Sequence, residues 1–189
     1  GDENPPLGKR LTWYTNDSGS FQVKVVRRTV KSMDGYFHLT SSTGLGLLLT
    51  SSYIPEIYDN TKWNISVRIG TKGDLDFNII TPGDAQEYMV EFAGYSYDLD
   101  VLRNQFHLTA SITKAAYDAI SEQNKAVYVG SHKTNFSGTH LLSSDVKVLN
   151  FSVWKDGLLD EELKERAQNS QIHGRRKPQS ISNFDSGQN

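Results

Sequence analysis

The chain is dominated by short runs in which apolar and polar residues alternate. Phe21, Val23 and Val25 interleave with Gln22 and Lys24. Trp63, Ile65, Val67 and Ile69 interleave with Asn64, Ser66 and Arg68 in the cleanest run of the chain. Tyr88, Val90 and Phe92 share a phase. Phe106, Leu108, Ala110 and Ile112 share another, opposite His107, Thr109 and Ser111, and Val127 and Val129 repeat it at shorter length. A repeat of two puts successive side chains on opposite faces of a strand, so each run predicts a β-strand with one face on a core. Turn formers separate the runs: Asn16-Asp17-Ser18-Gly19, Asp34-Gly35, Lys72-Gly73-Asp74, Pro82-Gly83-Asp84 and Lys155-Asp156-Gly157. In a last strand, Val146 and Val148 align, and then Leu149, Phe151 and Val153 do. The phase slips by one between the two sets, which predicts a β-bulge that keeps both facing the core.

Two stretches carry a helical repeat instead. Thr113 is placed to cap Lys114–Glu122, where Ala116 and Ile120 form an apolar stripe. Asp160 is placed to cap Glu161–Gln168, where Leu163 and Ala167 share a face and Glu162 and Arg166 form an i,i+4 pair. Helices this short need a surface to dock on. The prediction is an all-β fold: a two-sheet antiparallel jelly-roll sandwich with two short helices, one of them C-terminal, and with wet outer faces. Residues 1–9, with Pro5-Pro6, read as a linker, 10–170 as the domain, and 171–189 as a polar tail with Arg175, Arg176 and Lys177. The start at Gly1 rather than Met reads as a piece of something longer.

Composition narrows the function. At 189 residues one core suffices. The chain has no cysteine, so disulfides, thiolate metal sites and cysteine nucleophiles are excluded. A net charge of -2 gives no general attraction to nucleic acid or anionic membrane, and no apolar run reaches the ~20 residues that span a bilayer. Four N-x-[ST] sequons, at Asn16, Asn64, Asn135 and Asn150, fit chance in a chain rich in Asn, Ser and Thr.

The final third carries a more particular pattern. It runs Tyr128-Val129-Gly130, Phe136-Ser137-Gly138 and Asp145-Val146-Lys147-Val148. Phe151-Ser152-Val153-Trp154 and Leu159-Asp160-Glu161-Glu162-Leu163 follow, and then Ala167, Asn169, Gly174, Arg175 and Pro178. This resembles the closing stretch of a LamG-like jelly-roll domain of the concanavalin A-like lectin/glucanase superfamily. It is similar to those in structural proteins of large tailed bacteriophages and other large DNA viruses. The resemblance is specific over residues 105–178 and diffuse before. It implies a non-catalytic structural, assembly or adhesion module of a larger viral protein, located in a virion tail, neck or capsid surface. The alternative is a lectin-like domain that recognises a host-surface glycan. Expected partners are the rest of the parent protein, other virion proteins and, in the alternative, a glycan. Membrane insertion and nucleic acid are not expected.

Glucanases of this superfamily carry a Glu-x-Asp-x-x-Glu strand, and no such triplet occurs here; Asp74-Leu75-Asp76 and Asp98-Leu99-Asp100 read as solvated turn acids. Calcium is the one cofactor in view, through the alternate oxygens of Asp74, Asp76 and Asn78; the same run also reads as an amphipathic strand. Sugar binding needs an exposed aromatic ring with polar neighbours. The first choice is a loop with Tyr95, Tyr97 and Asp98. Trp13-Tyr14 and Tyr53 with Tyr58 are further candidates. His132 and Asn135 lie in a predicted turn that either lines a ligand site or simply builds the turn.

Overall fold

A computed structural model describes residues 10–14, 20–42, 45–75, 87–122, 126–129, 131–133, 140–143, 149–154 and 157–169. In chain order these form β1 (Arg10–Tyr14), β2 (Phe21–Arg27), β3 (Gly35–Ser41), β4 (Leu48–Thr50), β5 (Asn64–Thr71), α1 (Lys72–Leu75), β6 (Tyr88–Asp98), β7 (Val101–Ile112), α2 (Lys114–Ser121), β8 (Ala126–Val129), β9 (Ser131–Lys133), β10 (His140–Ser143) and α3 (Asp160–Gln168). One sheet has the order β4-β3-β2-β1-β8, a second β5-β6-β7, and β9 and β10 form a separate ribbon. Every pairing is antiparallel. The fold is an antiparallel β-sandwich, as the alternation predicts.

The core lies between the two larger sheets. Phe21, Val23, Phe37 and Leu39 come from the first; Val90, Phe92 and Phe106 come from the second, and Leu45, Leu47, Ile54 and Ile57 close one end. The Phe37 and Phe106 rings stack at 5.1 Å, and Phe92 meets Phe106 edge-on at 4.9 Å. Trp63 adds an edge contact to Phe37 at 4.9 Å. Such ring pairs add about 0.5–1.5 kcal/mol each beyond the area they bury. Gly94 makes this packing feasible. It sits between Ile65 and Phe106 in register, and a Cβ there would lie 2.3 Å from the Phe106 ring. Thr113 caps α2, its hydroxyl accepting from the Ala116 N–H at 3.2 Å, and Ala116 and Ile120 are buried as expected.

Three expectations give way. The outer face of the second sheet is not wet along β6, because α3 lies over it, while the outward residues of β7 stay exposed. Leu158, Leu163 and Ala167 pack on Ala93 and Tyr95, with Tyr97 and Trp154 at the margin. β6 is therefore buried from Val90 to Ser96 without a break. The bulged last strand is the second. Val146 and Val148 fall outside the described residues, but 149–154 is not a strand, and Leu149, Phe151 and Val153 are 79%, 45% and 60% exposed. Alternation records that two faces differ, not which is covered. Here α3 occupies the sheet surface, and of this segment Trp154 packs against the second cluster. The third is the start of α3. Leu159 is the cap position, its N–H donating to Glu162 Oε2 at 2.7 Å. Asp160 falls inside the helix and is engaged elsewhere.

Replacing Gly94 by Ala forces the Phe106 ring from its place. We expect Gly94→Ala to lower stability by about 1–3 kcal/mol, read by calorimetry as a lower melting temperature with the strand signal in circular dichroism retained.

Candidate functional site

The outer face of the β5-β6-β7 sheet gathers the ionisable residues. Arg68 on β5 stands directly opposite Glu91 on β6, and His107 on β7 stands opposite Ala93, one diagonal from Glu91. These positions point away from the core because Val67, Ile69, Val90, Phe92, Phe106 and Leu108 point into it. α3 then brings Asp160 down onto them. The Arg68 guanidinium is ion-paired with both Glu91 and Asp160. Its Nη1 also donates to the Leu158 carbonyl at 2.6 Å. His107 Nε2 lies 3.5 Å from Glu91 Oε1. Arg68 and Glu91 are each only 6% exposed. Burial raises the Glu91 carboxyl above its ordinary range, against the lowering pull of Arg68 and His107. The Tyr95 phenol beside them is also raised, by burial first and by Asp160 second.

Glu91, His107 and Asp160 can each bring one ligand atom within 4.8 Å of the others. The set does not fit a metal ion. A guanidinium already bridges the two carboxylates, and a divalent cation beside it would meet a fixed like charge. Nor does it offer two free carboxyls to a glycosidic bond: both are ion-paired with Arg68, Glu91 buried under α3 and Asp160 half-exposed in its first turn. What the arrangement does is hold three elements together. Nearby, Arg166 on α3 lies 4.3 Å over the Trp154 ring and its Nη2 donates to Ser152 Oγ at 3.3 Å; burial lowers its pKa.

The predicted site residues are scattered differently. Tyr95, Tyr97 and Asp98 belong to a strand, not a loop. Tyr95 is 4% exposed under α3 and offers no ring face, Tyr97 packs at the edge of the same cluster, and Asp98 is exposed and ion-paired with Arg103 at 2.8 Å. His132 lies in β9 opposite Leu142, in a strand rather than a turn. Asn135 lies outside the described residues, as do Asp76 and Asn78 of the calcium series. Asp74 falls in the single helical turn α1, whose last residue, Leu75, is buried. The backbone of Trp13-Tyr14 is in β1.

Tyr58 serves the fold: its hydroxyl donates to the Val25 carbonyl at 3.1 Å, and Arg27 covers its ring at 4.0 Å. Tyr53 is different. It is 55% exposed, meets Tyr36 edge-on at 5.4 Å and has the Arg28 guanidinium 5.3 Å from its ring centre. His38 lies 6.1 Å from Tyr36 on the same outer face of the first sheet. Its pKa is lowered by burial and then by Lys24, its neighbour across the strands.

The Arg68 cluster went unread in the sequence. Its signal was an Arg and a Glu on the polar phases of two strongly apolar strands, but only the strand register makes them partners. Compared with family models, with curated proteins and with solved structures, the chain matches none. Fold and cluster together define an antiparallel β-sandwich in which buried charges join β5, β6 and a docked C-terminal helix.

Arg68→Ala leaves Glu91 buried without its cation, and removing one partner of a buried pair costs about 3–5 kcal/mol. Arg68→Met with Glu91→Leu removes both charges and should recover most of that loss in urea denaturation. For His38 the folded pKa is depressed, so the unfolded chain takes up its proton first. Its contribution to stability is full above pH ~6.5 and is lost as pH falls from there through the folded pKa. We expect His38→Gln to flatten that part of the stability-pH profile measured by denaturation.

Proposed function

We propose that this domain is a non-catalytic assembly or adhesion module of a larger protein. The observation that carries the reading is the distribution of side chains. The charged cluster, where chemistry would reside, is spent on anchoring α3, while large apolar side chains stand in water. Leu99, Val101 and Leu102 are 89%, 55% and 37% exposed at the β6–β7 hairpin tip, and Leu149, Phe151 and Val153 form a second exposed group. Leu99 even holds a φ of 53°, a conformation in which glycine or asparagine would be less strained. Exposed apolar groups of this kind mark surfaces that meet other proteins. A virion tail, neck or capsid surface is the setting we propose, supported by the resemblance of the closing stretch to viral LamG-like domains. No helix among the described residues is long and apolar enough to cross a membrane.

A second reading, glycan binding, is favoured by the Tyr53, Tyr36 and Arg28 group, which joins an exposed ring to polar neighbours on one sheet face. A glycan array on the isolated domain, with and without calcium, separates the two. The assembly reading expects no saturable glycan binding. Binding at micromolar affinity or better that Tyr53→Ala weakens at least tenfold establishes the second reading in its place.

A further inference from the structure

Among the described residues β7 is an edge strand of the three-stranded sheet. Among the described residues its backbone pairs with β6 alone. An edge strand presents a row of unpaired N–H and C=O groups, and proteins that stay single usually guard such a row with charge, proline or a bulge. β7 is guarded only at its start. The register to β6 slips so that Arg103 is an extra residue, and its guanidinium is held by Asp98. From Asn104 to Ile112 the strand reads Asn-Gln-Phe-His-Leu-Thr-Ala-Ser-Ile, with no Lys, Arg, Asp, Glu, Pro or Gly. That stretch is about 30 Å of regular edge. Its core-facing Leu108, Ala110 and Ile112 are only half-buried, so the apolar layer is open along the same line.

We propose that the chain pairs with a second copy of itself, β7 antiparallel to the partner's β7, to make one six-stranded sheet. The sequence of the edge is what selects a second copy as the occupant. A two-fold axis normal to the sheet keeps each face on its own side, so opposed residues must share a phase. Centred on Leu108, it sets Gln105 against Ser111 of the partner subunit and His107 against Thr109 of the partner subunit on the outer face. On the core face it sets Phe106 against Ala110 of the partner subunit and Leu108 against its own copy. From Gln105 to Ser111 polar meets polar and apolar meets apolar; at the two ends Asn104 meets Ile112 of the partner subunit, and no like charges are opposed. Each copy supplies the main-chain donors and acceptors that the other lacks, and the half-buried core edge is covered. This inference rests on the assembly reading above and gives it a partner.

The test uses the full 189-residue chain, which has no cysteine to confuse the result. Sedimentation should show a concentration-dependent monomer–dimer equilibrium. Thr109→Lys with Ser111→Lys, both at exposed positions, should weaken it at least tenfold while leaving the circular dichroism unchanged. Gln105→Cys with Ser111→Cys should form a covalent dimer under mild oxidation. Within one chain those positions are about 20 Å apart, beyond disulfide reach. Gln105→Cys alone should not crosslink, since its two copies are equally far apart in this register. A protein that stays monomeric to millimolar concentration overturns the proposal, and so does equal crosslinking of the single and double variants. The β7 variants leave the Tyr53 face untouched, so failure of self-pairing and failure of the assembly reading are read from separate experiments.

Discussion

Arg68 reaches three elements from one buried position. Its strand, β5, lies beside β6, its guanidinium pairs with Glu91 across that register, and the same group holds the Asp160 carboxylate and the Leu158 carbonyl at the start of α3. A charge this far from water is tolerated only when it is paired. The pairing in turn requires α3 to sit where it does. Remove the helix and Arg68, Glu91, Ala93 and Tyr95 meet solvent on the outer face of the sheet. The helix is too short to hold itself, and its docking rests on Leu158, Leu163 and Ala167 together with this ion cluster. The double burial of β6, and with it the three-layer character of this side of the sandwich, follows from that contact.

The same contact decides what the surface offers. By covering the outer face of β6, α3 takes Tyr95 out of contention as a binding ring, and 149–153 runs past with its apolar side chains outward. On the outer face of the first sheet Tyr53, Tyr36 and His38 collect, Tyr53 half-exposed. The second keeps an open edge at β7. The buried ion cluster, the exposed aromatic group and the β7 edge thus lie on three different parts of the sandwich.

Much of the fold was legible in the alternation. The runs at Phe21–Val25, Trp63–Ile69, Tyr88–Phe92 and Phe106–Ile112 each became a strand or lie within one, with the predicted side toward the core. Thr113 announced α2 because a capping hydroxyl acts on the residues next to it in sequence. The candidate site was legible only in fragments. Tyr95 followed by Tyr97 and Asp98 looks like a loop because the apolar phase ends at Phe92; Gly94 and Ser96 hold the core-facing positions, and Gly94 does so because the Phe106 ring fills its space. The period-2 signal vanished where packing, not polarity, chose the residue.

What the chain determined by itself was local: which residues alternate, where turns fall, which hydroxyl caps a helix, and that no thiol chemistry exists. These depend on neighbours two to four positions apart, and the backbone repeat carries them. What only tertiary structure decided was which polar face would be covered and by what. Arg68 and Asp160 lie far apart in sequence, and nothing local distinguishes a solvated aspartate at a helix start from one that seals a buried guanidinium. That distinction needs the strand register to place Glu91 opposite Arg68 and the docking of α3 to bring Asp160 to both.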